Sequence, residues 1–312
     1  MTTSATPGTL SAPADRPLLG ALLMVAFCLL APLGDAAAKL LGALPLAEIM
    51  LGRYGVQAAL LVPAVRLGGG RLDLTPRLWR LTALRTLLHV LSFTAFVASL
   101  RFLPLADAIA IIYVLPFIQL LLGRLLLGEE VGRHRLAACA VGFVGTLLVV
   151  QPSFAAVGAP ALLPLVAALF FAFFMLVTRQ LARDTDPVLL QAASGLVATA
   201  FLVPLVLLGA VLGWSELAPV AVGPRELALL LVLGVLGTSA HLVMTWALRF
   251  APSATLAPIQ YLEIPFATLI GFAVFGALPN GLAAVGILVT ISAGLYVLHR
   301  ERRATLAAPP MV

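Results

Sequence analysis

Four ionisable residues lie deep inside long apolar stretches: Arg53, His89, His241 and Glu263. At mid-membrane depth such a group costs roughly 2.5–3.5 kcal/mol on insertion scales, so it should face a partner or a cavity. At about 1.5 Å per helical residue, Glu263 falls ~16 Å from one end of its stretch and Arg53 ~10 Å from the opposite surface. That is similar depth in a core about 30 Å thick. The two can form a structural ion pair or hold the charged ends of a solute. His89 is ~15 Å deep and His241 ~12 Å deep; a neutral imidazole offers one donor and one acceptor, to a cargo or to a neighbouring helix. Tyr113 and Tyr261 are too deep for the interfacial aromatic belt, and a phenol supplies a stacking ring with an orienting hydroxyl. Phe93 shares a helix face with His89 and Phe96, and Phe117 extends the aromatic bias. These eight residues are the candidate substrate-binding set. Asp35 with Lys39 one turn later reads as a surface i,i+4 pair. Glu48 and Asp107 read as carboxylates at helix starts, and Arg85 and Arg124 as side chains that snorkel towards the cytoplasm.

The elements that must hold such residues are membrane helices. Apolar residues make up 62% of the 312-residue chain and charged residues 10%, with mean hydropathy +1.12. A soluble domain carries about 45–50% apolar and about 25% charged residues, so the solvent is a bilayer. The apolar stretches are about twenty residues long and continuous, which is helix rather than barrel-strand length. The net charge of +6 comes from arginines scattered through short loops, as membrane topology requires, and not from a nucleic-acid-binding patch. Cys28 and Cys139 read as buried free thiols. No HExxH, no deep aspartate pair and no phosphate-cradling loop is present, so neither an enzyme, a metal or cofactor site, nor an ATP-driven pump is expected.

Ten spans are expected, at about 18–37, 46–67, 79–101, 104–127, 134–151, 161–181, 188–212, 226–249, 252–276 and 279–298. Residues 1–16 read as a disordered tail and 300–312 as a polar one. The first span is expected to be retained rather than cleaved, because only Arg16 precedes it, beside Asp15. Pro45, Gly68-Gly69-Gly70, Pro104, Pro252 and Asp184-x-Asp186-Pro187 mark boundaries. Leu100–Tyr113 (LRFLPLADAIAIIY) returns as Leu248–Tyr261 (LRFAPSATLAPIQY), with Leu, Arg, Phe, Pro and Tyr at a constant offset of 148. Five spans fit that interval, and an odd number inverts the second copy relative to the bilayer. The fold class is therefore an all-α integral membrane protein with two inverted five-helix repeats, over 17–152 and 153–299. That architecture holds solute at the midplane of secondary transporters. Placing both termini in the cytoplasm puts thirteen basic residues on that side and three, Lys39, Arg101 and Arg225, on the other.

Several motifs also carry a family resemblance. The run Leu100–Gly145 has a basic-aromatic-x-Pro start, a mid-span Pro116, a Gly128-Glu129 exit and a following Gly-x-x-Gly helix. Arg53-Tyr54 and Leu262-Glu263-Ile264-Pro265 add to the set. Together these resemble the drug/metabolite transporter superfamily, in its EamA-type ten-helix branch, and look most like YddG-type exporters of aromatic and other amino acids. The second copy departs from the pattern at Gly276-Ala277, where a second Gly-Glu would fall. The resemblance implies a carrier in the bacterial inner membrane that exports small amphipathic metabolites, amino acids foremost. A phosphorylated-sugar carrier would want several deep cations, and only Arg53 reads as securely deep. A passive channel or an intramembrane enzyme are the remote alternatives. No cofactor is implied, and the oligomeric state is open.

Overall fold

Proline and small polar residues set where the helices begin. In the computed structural model α1 (Pro17–Leu40), α3 (Pro76–Ser99), α8 (Pro187–Leu212) and α9 (Pro224–Phe250) all start on proline, whose missing N–H costs nothing in a first turn. Thr75 caps α3 by accepting from the Leu78 amide, and Asp186 caps α8 by accepting from Val188 and Leu189. The remaining helices are α2 (Leu46–Leu67), α4 (Leu105–Ile112), α5 (Leu115–Leu127), α6 (Arg133–Val150), α7 (Leu163–Asp184), α10 (Ser253–Leu256), α11 (Glu263–Phe275) and α12 (Gly281–Ala307). α5, α8 and α11 end at Gly128, Gly213 and Gly276, each with φ between 65° and 69°, the left-handed cap that glycine adopts freely. The described residues are 16–70, 72–103, 105–129, 131–150, 158–276 and 281–307. The tail at 1–15, the end at 308–312 and the side chain of Asp107 lie outside them.

Among the described residues, six segments are long and apolar enough to cross a membrane by themselves: α1, α3, α7, α8, α9 and Ser253–Phe275. The other expected spans differ from these six in particular ways. α2 carries Glu48, Arg53, Gln57 and Arg66 along its length. The apolar parts of α6 and α12 are shorter. The stretch expected to be one span at 104–127 is broken in two: α4 stops at Ile112, the chain turns through Tyr113-Val114, and α5 restarts just ahead of Pro116. The segment at 252–276 is interrupted likewise, by a 3-10 turn at Ala257–Leu262 that contains Pro258. A proline cannot donate to the preceding turn and its ring collides with it. Irregular backbone at membrane depth survives only when enclosed by protein, and every residue of the second break is buried. Tyr113 and Tyr261, separated by 148 positions, sit at the two breaks.

Small residues bring the helices together. α1 runs antiparallel to α9, with Gly20 against Ala247 and Ala251 and Gly34 against Gly237. α3 runs antiparallel to α7, as Arg85 meets Thr178 and Ser92 meets the Ala167 carbonyl. α2 lies on α8, where Gly195 touches Ala58, and α6 lies along α12. At the end of α1, Lys39 reaches the Leu100 and Leu103 carbonyls just beyond α3. Thus α1 and α3 run the same way, and α7 runs against both.

The two ends are tied by different groups. At one, Arg101 meets Glu216 at 2.7 Å and the Leu44 carbonyl at 2.8 Å. At the other, Glu129 accepts from the amides of Ser253 and Ala254 at the start of α10 and lies 3.6 Å from Arg179. Arg101 holds the Glu216 carboxyl below the usual carboxylate range, chiefly by this hydrogen bond. A depressed carboxyl stabilises the folded form above its unfolded pKa and loses that contribution as pH falls through its folded value. Glu216 is half exposed at 52%, so the contribution is small. Glu216→Gln should modestly speed proteolysis of the 213–223 loop at neutral pH. The difference from wild type should vanish once acid protonates Glu216; a difference that persists would show that the ion pair is not its source.

Candidate solute-binding cavity

Several helices converge on a partly open cavity with about 80 Å³ of room for water-sized groups, tighter than the 300–1,000 Å³ of typical small-molecule sites. Its walls are largely aromatic, with Phe27 from α1, Phe93 and Phe96 from α3, and Phe171 from α7. The polar groups form two clusters. One is Arg53, His89 and His241; the other is Glu263 and Tyr113, with Asp35 also in the wall.

The cationic side is built around Arg53, which is 3% exposed. Its guanidinium lies 4.2 Å over the Phe93 ring, and Nη2 is 3.0 Å from His241 Nδ1. Gly237 makes room for it, because a Cβ there would come within 2.7–3.3 Å of the guanidinium atoms. The His89 and His241 rings lie 4.3 Å apart, and His89 stacks on Phe174 at 4.5 Å. The Tyr54 hydroxyl bonds His89 Nδ1 at 2.7 Å. In the acidic cluster Tyr113 and Glu263 face the cavity together, and Asp35 is close enough for its charge to act on both Glu263 and Arg53. Gln260, also in the wall, donates from Nε2 to the side-chain oxygen Oε1 of Gln119 at 2.7 Å.

Six of the eight candidate residues meet in this wall: Arg53, His89, Phe93, Tyr113, His241 and Glu263. Two do not. Phe117 packs edge-on against Phe143 of α6, with ring centroids 5.2 Å apart. Tyr261 lies behind Tyr113, at 5.5 Å, with its ring under Gly142 and its hydroxyl donating to the Tyr113 carbonyl at 3.4 Å. The backbone break explains this. A 3-10 turn has three residues per turn rather than 3.6, so side chains after Pro258 are rotated away from where a continuous helix would aim them. An Arg53–Glu263 ion pair does not form among the described residues; Arg53 lies against His241 instead.

Three residues read from spacing occupy other places. Asp35 does not pair with Lys39 at the surface; it faces the cavity, while Lys39 is drawn to the carbonyls beyond α3. Arg85 does not snorkel. It is 1% exposed and donates to Thr178 Oγ1 at 2.7 Å and Ser194 Oγ at 2.5 Å, with its guanidinium over the Phe174 ring. Tyr54 stands behind His89 and was legible only as the neighbour of Arg53. Asp35 had a usable signal, being five residues inside the end of α1, about 8 Å.

A pocket with stacking walls, a donor side and an acceptor side can hold a flat amphipathic molecule by its faces and by both polar ends. Comparison with known proteins agrees with a transport role. The model of the EamA-like transporter family matches residues 18–151 and again 159–298. A riboflavin transporter of Rhizobium johnstonii is 33% identical over 295 residues, spanning 93% of this chain and 94% of that protein. An S-adenosylmethionine uptake transporter of Rickettsia prowazekii is 23% identical, over 82% of this chain and 84% of its own length. A crystal structure superposes with a TM-score of 0.72 at 17% identity, covering 94% of this chain and 99% of its own, and so shares the fold. The narrower likeness to YddG-type exporters is not supported by these relatives, which carry names of other cargo. With both halves matched and a 33%-identical transporter aligned almost end to end, the chain belongs to the EamA-like transporter family of membrane proteins.

Proposed function

We propose that the chain is a secondary carrier for riboflavin or a closely similar flavin, moving it across a bacterial inner membrane by alternating access. The observation that carries this reading is the aromatic cavity with a donor side and an acceptor side. An isoalloxazine ring is flat and apolar on its faces, bears carbonyl acceptors on one edge, and trails a chain of hydroxyl donors. The near full-length likeness to a riboflavin transporter supports the same cargo.

The architecture proposed with it is ten crossings in two inverted units, 17–152 and 153–299, with both termini in the cytoplasm. Support comes from helix direction. α1 and α7 open the two units and run in opposite senses, and the α1–α9 contact between the units has its counterpart in the α7–α3 contact between them. The two broken segments fall at matching positions, and broken helices at a repeat interface are where such carriers bind solute.

Purified protein in liposomes should accumulate riboflavin saturably, with competition by lumiflavin, which keeps the ring and loses the hydroxyl chain. Aromatic amino acids should not compete. Amino-acid export, the expectation from sequence, is the second reading. It is favoured by one feature: a zwitterion would also set its carboxylate by Arg53 and its ammonium by Asp35 and Glu263. Transport of phenylalanine or tryptophan without transport of riboflavin would establish that reading and overturn the first.

A further inference from the structure

His241 Nδ1 has two neighbours with opposite demands. Arg53 Nη2 lies 3.0 Å away, and the Gly237 carbonyl oxygen also lies 3.0 Å away. A guanidinium keeps its protons in proteins and can only donate; a carbonyl can only accept. One ring nitrogen cannot serve both. A proton on Nδ1 would point at a buried cation. The Gly237 oxygen needs no such proton, since it stands one helical turn before residue 241 and faces that residue's own backbone N–H. The lone pair on Nδ1 therefore faces Arg53, and the imidazole proton sits on Nε2.

That assignment leaves donors over. His241 Nε2 and Arg53 Nε are both buried and have no hydrogen-bond partner among the described residues. The residues are 7% and 3% exposed, and both belong to the cavity wall. Folded proteins rarely leave buried donors unmatched, and such groups point to a ligand or an ordered ion. His89 cannot take up either one through Nδ1, which is engaged by Tyr54.

We infer that Arg53 and His241 form a two-donor clamp for a hydrogen-bond-accepting edge of the cargo, and that Arg53 is also the positioning residue that fixes the His241 tautomer. Taking that edge to be the carbonyl edge of a flavin ring rests on the riboflavin reading; the clamp itself rests on the geometry. Asp35 and Glu263 carry carboxyl oxygens that can accept, so the cargo is oriented with its acceptor edge towards α2 and α9 and its donors towards α1 and α11.

The tautomer can be read without any cargo. Nitrogen-15 NMR of histidine-labelled full-length protein in nanodiscs, with His241 assigned through His241→Gln, should give the neutral Nε2–H pattern. In Arg53→Met it should move towards Nδ1–H, bonded to Gly237. A wild-type ring protonated on Nδ1 overturns the clamp. Flavin fluorescence then tests recognition. His241→Phe keeps a ring and loses the donor, and should weaken riboflavin binding about tenfold or more. His241→Gln keeps a donor and should stay within about threefold. Equal losses in both variants, or none in His241→Phe, overturn the clamp. If wild type binds no flavin at all, the cargo assignment falls, while the tautomer measurement still decides whether Arg53 presets His241.

Discussion

Arg53→Met should abolish riboflavin accumulation, with initial rates lowered by two orders of magnitude or more at equal amounts of reconstituted protein. The guanidinium is nearly fully buried, engages His241, and rests over Phe93. Removing one member of a buried charged network leaves the others uncompensated, at about 3–5 kcal/mol, or more than a hundredfold in a rate. Arg53→Lys should recover part of the activity only, since an ammonium keeps the charge but not the planar fork. Rates within threefold of wild type in Arg53→Met would mean that the solute does not pass this cavity.

The largest effect on stability is expected from Gly195→Leu. An added Cβ there would meet the backbone N and Cα of Ala58 at 2.9 and 3.1 Å. Backbone cannot rotate out of the way as a side chain can, so α2 and α8 must separate. Their separation would break the bonds from Gln57 Nε2 to the Gln191 carbonyls and, through Gln191, the link to the His241 carbonyl and Thr245. Overpacking of this kind costs about 3 kcal/mol, enough to lower the thermal midpoint in detergent by many degrees or to prevent recovery of folded protein. Gly55→Ala is the control: it lies on the partner helix α2, but its added Cβ would meet nothing within 4 Å. Equal midpoints for Gly195→Leu and wild type would show that this crossing does not hold the bundle together.

Much of the scaffold was legible because membrane helices advertise themselves in one dimension. Apolar stretches bounded by Pro45, Gly68, Pro187 and Pro252 marked helices where they form, and depth counted at constant rise put Arg53, His89, His241 and Glu263 near one level. Direction around the helix axis was harder. Asp35 and Lys39 are four residues apart and read as partners, yet they part company because Lys39 is long enough to find carbonyls beyond α3. Arg85 is as long as any snorkelling residue, but Thr178 and Ser194 on α7 and α8 offer acceptors that no local spacing reveals. Tyr261 and Phe117 were misaimed for a different reason: both follow a backbone break, and a period of 3.6 fails beyond it. Pro116 and Pro258 announced bends in the sequence, but the sense of rotation after each depends on which neighbour encloses the freed backbone.

The two mouths of the bundle are secured by unlike chemistry. Glu129 crosses to three groups at one end, and the repeat position that would mirror it is Ala277, which has no carboxylate to offer. The other mouth depends on the solvent-exposed contact of Arg101 with Glu216, which salt attenuates far more readily than the half-enclosed cluster around Glu129. In an alternating carrier, unequal fastenings give the outward-opening and inward-opening half-cycles different barriers. Raising ionic strength would then speed one half-cycle preferentially, so that counterflow and net flux respond to salt by different amounts.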